Sequence, residues 1–316
     1  MVAQNINNSN MHSYNYFAFG LNIKSQLVLP ELARGVGETS DVRIKYGDIP
    51  KRVESIIEET DYYQAGNNEF IFRVEGVATF YVANGEQIIV KICNSANSSM
   101  VRLFLLGTVM GILLMQRDTL PIHGSAVDIN GCGVLFTGIS GAGKSTIAAA
   151  LCKQGYLLLA DDVSVLTCAK GSYQVQPAYP QQKLWPDSAA MLGIDVAAAS
   201  QVVQGESKRA VSVYERFGKQ HVPIKVIYEI VVQPCNDDIS ILPLKGAAKL
   251  ATIMGNTYRA KYINCLGKKF SHFKQCANLV KQVQVFRLIR PANEILLDRQ
   301  TEFFLKHYTD VLSKWS

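Results

Sequence analysis

Nine consecutive residues carry most of the chemistry this sequence offers. Gly138-Ile-Ser-Gly-Ala-Gly-Lys-Ser-Thr146 fits GxxxxGK[ST], the Walker A phosphate-binding pattern. In such a loop successive backbone N–H groups turn inward around phosphates, which glycine at 138, 141 and 143 permits without a Cβ clash. Lys144 then reaches the β- and γ-phosphates, and the Ser145 hydroxyl takes a metal ion. Seventeen residues past Lys144 stand two acids, Asp161 and Asp162. A pair of carboxylates behind a phosphate loop serves magnesium and a hydroxyl nucleophile. The set implies a nucleoside triphosphate with Mg2+. The residues expected around the nucleotide are Gly138, Ser140, Gly141, Ala142, Gly143, Lys144, Ser145 and Thr146.

Strand, loop and helix must place these groups. Gly133-Val-Leu-Phe-Thr137 is an apolar, β-prone run that enters the loop. Thr146-Ile-Ala-Ala-Ala-Leu-Cys-Lys-Gln154 is a strong helix former that leaves it, stopped by Gly155. Phosphates then lie at a helix N-terminus. Tyr156-Leu-Leu-Leu-Ala160 predicts a second strand, and a right-handed crossover makes it parallel to the first. Its carboxyl end brings Asp161 and Asp162 to the edge where the loop sits. Upstream, 125–137 predicts a hairpin turning at Asn130-Gly131, the dipeptide suited to a type I′ turn. Pairing about that turn sets residue 123 opposite 138, so His123 stands beside the loop. An imidazole there assists proton transfer or touches the γ-phosphate.

Ile122-His123-Gly124, the hairpin, Gly138 to Thr146, Gly155-Tyr156 and Leu159-Ala160-Asp161-Asp162 together resemble the core of the HPr kinase/phosphorylase family. The intervals from His123 to Lys144 and from Lys144 to Asp161 resemble it too. The resemblance implies an α/β fold with an HPr kinase/phosphoenolpyruvate carboxykinase-like P-loop core, to which the sequence pattern itself adds a smaller β-rich N-terminal lobe. It implies phosphoryl transfer from ATP, with another donor left open, to a serine hydroxyl on a protein or peptide, and Mg2+ as the metal. Carried over by position, Lys144 and Ser145 hold phosphates and metal, Asp161 acts as catalytic base, Asp162 supports it and the magnesium, and His123 belongs to the site.

This sequence departs from that family at Ile139, where an Asp is usual, and at Thr146, where a Glu is usual. The family's Leu-Glu-Ile-Arg-Gly segment is replaced by Gln182-Lys-Leu-Trp-Pro-Asp-Ser-Ala-Ala190, in which Asp187 is either a metal-shell acid or a helix cap. Across the whole chain, Tyr16-Phe-Ala-Phe-Gly-Leu21, Leu120-Pro-Ile-His-Gly124, Lys183-Leu-Trp-Pro186, Asn256-Thr-Tyr-Arg259 and Leu288-Ile-Arg-Pro291 look like the HPr-kinase-like tailoring kinases of lasso-peptide biosynthesis. That likeness implies a precursor peptide as partner and a serine near its C-terminus as acceptor. Open beside it stand a regulatory serine kinase acting on a folded carrier such as HPr, a nucleotide-binding module without chemistry, and a small-molecule kinase. HPr kinases are typically hexameric, but the missing phosphorylase-linked segment and the different N-terminal lobe keep that assembly from transferring, and a homo-oligomer is left open.

The rest of the sequence frames this core. It has 316 residues, 48% hydrophobic and 18% charged, enough for a large core and two domains, expected at 1–97 and 98–316. Seven cysteines with no CxxC argue for a reduced, cytoplasmic setting and against a disulfide frame or zinc site. Residues 1–10 are polar, lack the parts of a signal peptide and suggest a loose tail. Met100 to Met115 is apolar, but only about thirteen residues separate Arg102 from Gln116, short of the roughly twenty a bilayer needs. It reads as a buried helix whose Gly107 and Gly111 admit a sheet, and no membrane is expected. Residues 15–95 suggest a β-rich lobe: Val42–Tyr46 alternates, Phe70 to Val82 joins Gln87 to Ile92 through Asn84-Gly85, and Glu54–Asp61 suggests a short helix. Later, Val222–Val232 suggests a buried strand and Lys245–Met254 a helix. Basic residues recur from Lys208 to Lys281, either as a solvated face or, at Arg209 or Arg259, as the source of a second cation for the γ-phosphate. The net charge of +6 fits an acidic peptide, without the arginine-aromatic interleaving that would favour nucleic acid.

Overall fold

A computed structural model describes residues 12–37, 39–197, 199–202, 207–234, 238–292 and 297–313, so the expected tail over 1–10 lies outside the described residues. The first part is a sheet of β1 (Tyr14–Ala18), β2 (Leu21–Ser25), β3 (Ala33–Arg34), β4 (Val42–Tyr46), β5 (Ile56–Glu59), β6 (Tyr63–Gly66), β7 (Glu69–Val74), β8 (Ala78–Ala83) and β9 (Gln87–Ile92). Its order is β3-β1-β2-β4-β9-β8-β7-β6-β5. The alternation at 42–46 buries Val42 and Ile44 as expected. Phe70 to Val82 is two strands rather than one, parted where Gly76 takes φ +68°.

The expected helix at Glu54–Asp61 is instead β5, paired with β6 at the sheet edge and exposed at every residue. Adjacent β-branched Ile56 and Ile57 favour a pleated edge over a helix. Flanking glutamates suit an edge that must not recruit a further strand.

α1 (Ser98–Phe104), a π-helical turn (Leu105–Val109) and α2 (Met110–Gln116) make one continuous helix. At 19 residues and mean hydropathy 1.8 it is long and apolar enough to cross a bilayer by length and composition, correcting the thirteen-residue span. Yet 67% of its apolar stretch is buried inside the protein. One hydrophobic cluster joins Phe70, Phe80 and Ile88 of the first sheet to Leu105, Met110 and Leu113 of this helix and to Leu120, Val163 and Ile253 beyond it. A shared core therefore crosses position 97, although the sheets on either side are separate.

The small face of the helix receives a ring, not the expected sheet. A Cβ at Gly111 would stand 2.9 Å from Cδ1 of Tyr258, which is itself buried. Gly111→Val is therefore expected to cost about 1–3 kcal/mol by overpacking, read as a lowered Tm in thermal unfolding. An unchanged Tm would mean that the ring yields freely.

The remaining elements are β10 (Leu120–Ile129), β11 (Cys132–Thr137), α3 (Lys144–Lys153), β12 (Leu157–Ala160), β13 (Val163–Ala169), β14 (Ser172–Gln176), β15 (Gln181–Leu184) and α4 (Pro186–Met191). They continue with β16 (Ser200–Gln201), β17 (Arg209–Ser212), β18 (Val222–Gln233), β19 (Ser240–Pro243), α5 (Gly246–Gly255), α6 (Lys269–Gln282), β20 (Gln284–Pro291) and α7 (Leu297–Leu312). An eight-stranded sheet runs β11-β10-β13-β14-β18-β20-β19, with β12 also on β10. β11 pairs with β18 in parallel, closing part of the sheet on itself. Phe136, Tyr228 and Phe304 pack between this sheet and α3 and α7. β15, β17 and β16 form a small separate sheet.

Candidate active site

The hairpin of β10 and β11 sets the geometry. Asn130 and Gly131 both adopt positive φ, 56° and 83°, as a type I′ turn demands. Gly124 pairs with Thr137, so His123 falls opposite Gly138 as the register predicts. Beyond the loop, α3 ends in Gly155 at φ +106°, with Tyr156 N donating to Leu151 O and Gly155 N to Cys152 O, a Schellman closure.

β12 runs parallel in direction to β11, but β10 lies between them and pairs antiparallel with both. The strand does not stop at the acids. β13 continues along the same edge of β10, pairing Val163 with His123, so Asp161 and Asp162 occupy a two-residue break opposite Gly124 and Ser125. Asp162 sits at φ +71°, a left-handed conformation unusual for a residue other than glycine and typical of strained functional positions.

The glycine-rich loop is tightly tied. Gly138 has φ +130°, and a Cβ there would fall 2.5 Å from Ile230 O. Its N–H donates to Asn256 Oδ1 at 3.1 Å. Gly141 and Gly143 also have positive φ, 83° and 106°. Lys144 is 7% exposed and its Nζ donates to Gly138 O and Ile139 O, each at 2.9 Å. Burial lowers its pKa, partly countered by Asp161. Ala142 is buried, Ser140 lines the cavity beside the loop, and Thr146 Oγ1 donates to Ser188 Oγ at 3.0 Å.

The two acids have different surroundings. Asp161, 4% exposed, accepts from Ser125 Oγ at 2.6 Å and Ser145 Oγ at 2.8 Å on Oδ1, and from the Lys183 backbone N–H at 2.8 Å on Oδ2. Asp162 instead pairs with Lys183 Nζ at 2.7 Å and lies 3.3 Å from His123 Nδ1. Burial by itself would raise the Asp162 carboxyl, but the Lys183 ammonium and then the His123 ring outweigh it and hold it well below the usual carboxylate range. Lys183 is correspondingly raised: burial opposes its charge, and Asp162 more than restores it. Of the two acids, only Asp161 is hydrogen-bonded to Ser145, while Asp162 faces Lys183 and His123.

Two cavities meet at His123 and Asp162. One, about 300 Å3, lies over the loop and includes Ser140, Lys144, Ser145, Lys183 and Arg290. The other, about 540 Å3, is bounded by Ile139, Asn256, Tyr258, Arg259 and Lys261. Arg259 thus borders the second cavity, with φ +53° and its guanidinium 5.5 Å from the Tyr258 ring centre. Arg209 lines neither cavity; its neighbour Lys208 lines the first. The cation that does reach the loop is Arg290, whose Nε donates to Ala142 O at 2.9 Å. Asp187 is exposed on the wall of the first cavity, within the first turn of α4, where Trp185 rather than Asp187 is the N-cap.

Lys183, Arg290, Asn256 and Ser125 contact the loop or the two acids, and the sequence by itself assigns them no role. Lys183, Asn256 and Arg290 lie in segments that look like other kinases, but only their position in the fold joins them to the site. The donors fit a small hard cation. Ser145 Oγ and the Asp161 carboxylate are oxygens 2.8 Å apart at the loop, suited to Mg2+ shared with phosphates. Among the described residues no group of three or more His, Cys, Asp or Glu forms another metal cluster.

Residues 116–182 match the family model of the HPr Serine kinase C-terminal domain. The HPr kinase/phosphorylase of Alkaliphilus metalliredigens is 57% identical over 44 residues, 14% of this chain and 14% of that protein. That of Pelodictyon phaeoclathratiforme is 59% identical over 44 residues, 14% and 13%. That of Mycoplasmopsis pulmonis is 32% identical over 81 residues, 25% and 26%. The chain spans between about an eighth and a quarter of the length of these curated relatives. The Hpr(Ser) kinase/phosphatase structure from Coxiella burnetii aligns over 61% of this chain and 93% of that chain, at a TM-score of 0.34 and 14% identity.

Proposed function

We propose that this chain is an ATP- and Mg2+-dependent serine kinase with an HPr-kinase-type P-loop core, acting on a protein acceptor of the HPr kind. The observation that carries the reading is the meeting of two cavities at Asp162 and His123, one built over the glycine-rich loop and one outside it. A phosphoryl donor in the first and an acceptor hydroxyl in the second would face each other at that junction. The match over 116–182 to a serine kinase domain supports the same chemistry.

In this reading the loop N–H groups cradle the phosphates, and Lys144 exchanges its two loop carbonyls for phosphate oxygens. Arg290, on the wall of the same cavity, braces the loop through Ala142. Ser145 and Asp161 would hold Mg2+, whose charge offsets that of the phosphates. Asp162, kept ionised by Lys183, orients the acceptor hydroxyl and takes its proton, while His123 fixes the Asp162 carboxylate from the side opposite Lys183. Positioning and charge neutralisation supply most of the rate in such transfer.

A precursor peptide as acceptor is the second reading. What favours it is that the family match stops at 182, where Lys183-Leu-Trp-Pro186 begins and the usual family segment is replaced. Mass spectrometry of HPr and of serine-containing peptides after incubation with ATP and Mg2+ separates the two. Phosphate on HPr is expected, and Lys144→Ala is expected to reduce it on the order of 10³-fold. Phosphate on peptides alone would make the tailoring reading the correct one. No transfer to any acceptor by wild type that binds ATP would overturn both.

A further inference from the structure

We propose that Trp185 is the platform on which the base of the nucleotide stacks, a reading that rests on nucleotide binding at the glycine-rich loop. The chain passes from buried Lys183 and Leu184, 9% and 1% exposed, straight to Trp185 at 43%. Its indole borders the same cavity as Ser140, Lys144, Ser145 and Thr146. Of the described residues lining that cavity, Trp185 alone offers an indole or phenyl face.

Its place is fixed, not incidental. α4 starts at the next residue, Ala189 N donates back to Trp185 O at 3.0 Å, and Ser188 is hydrogen-bonded to Thr146 in the first turn of α3. The backbone that carries the indole is therefore held at a set distance from the loop. Lys208 Nζ lies 6.0 Å from the ring centre and lines the same cavity, so one cation both polarises the ring face and stands near the phosphates.

The layout of the cavity leaves the base this wall. Its γ-phosphate end is set by Asp162 and His123, where the second cavity opens, and the loop occupies the floor. The nucleoside must extend along what remains, and an exposed aromatic face there gains from being covered by a base. Every base has a π-face, so stacking by itself does not select among purines.

The test uses two ligands, ATP and inorganic tripolyphosphate, each with Mg2+. Trp185 is one of two tryptophans, so Trp315→Phe leaves it as the sole indole reporter. ATP is expected to change its fluorescence and tripolyphosphate to leave it nearly unaltered. Trp185→Ala is expected to weaken ATP binding about 5- to 150-fold while leaving tripolyphosphate affinity unchanged, with Trp185→Phe retaining most of the ATP affinity. Equal ATP affinity in wild type and Trp185→Ala, or equal weakening of both ligands, overturns the platform alone. If wild type binds neither ligand, the nucleotide reading falls and the platform with it.

Discussion

Lys183→Met lowers the stability of this protein by about 3–5 kcal/mol, because it leaves the Asp162 carboxylate partly buried beside no compensating ammonium. Asp162 is 23% and Lys183 10% exposed at the side chain, so little solvent is available to replace the lost partner. The pH dependence follows from the two shifts. The depressed Asp162 adds stability that is present above the ordinary carboxyl value of 3.8 and is lost as pH falls through its lower folded value. The elevated Lys183 adds stability that is present below the ordinary lysine value of 10.5 and is lost as pH rises through its higher folded value. In wild type the pair therefore stabilises across the whole interval between those values. With methionine at 183 the largest lowering influence on Asp162 is gone and the His123 ring remains, so the stability deficit of the variant against wild type should shrink as pH falls through the acid range. Denaturant unfolding at several pH values checks this. Equal stability for wild type and Lys183→Met near neutral pH would show the pair to be energetically idle.

Asp162→Asn is expected to slow phosphoryl transfer by about 10²–10⁴-fold, the range for loss of a positioned proton acceptor. Asparagine keeps the shape but cannot carry a proton away from an acceptor hydroxyl. It also leaves Lys183 buried without its counter-charge, so the single variant mixes a catalytic with a structural loss. The double variant Asp162→Asn/Lys183→Met separates them. Removing both charges from contacting residues should recover much of the stability lost in either single change, while transfer stays low. Recovery of transfer along with stability would mean that Asp162 acts only as a partner for Lys183. Asp161→Asn should behave differently, raising the Mg2+ concentration needed for half-maximal transfer, since its carboxylate stands behind Ser145.

Local rules made much of the core legible. Asn130-Gly131 specifies its turn because few other dipeptides accept two positive φ values, and that turn alone sets His123 opposite Gly138. Gly155 ends α3 for the same conformational reason. The glycines of the loop and the two acids after it are likewise legible as residues that would stand together at one edge of the sheet. What local rules misread was context. Glu54–Asp61 has charges enough for an exposed helix, yet it pairs with β6 because a sheet edge was there to receive it. Gly107 and Gly111 announce a close approach, but not that the approaching group is the ring of Tyr258, far along the chain.

The sequence by itself determined the phosphate-loop pattern, the hairpin register beside it and the presence of paired acids, since each depends on residues only a few positions apart. The tertiary structure alone decided which acid faces which neighbour. Asp161 and Asp162 are adjacent in the chain, but a break in the strand turns one carboxylate toward Ser145 and Ser125 and the other toward His123 and Lys183. It also decided that Arg290 and Asn256, more than a hundred residues beyond the loop, brace it. Such contacts arise where separate strands and helices converge, and no periodicity or spacing along the chain encodes that convergence.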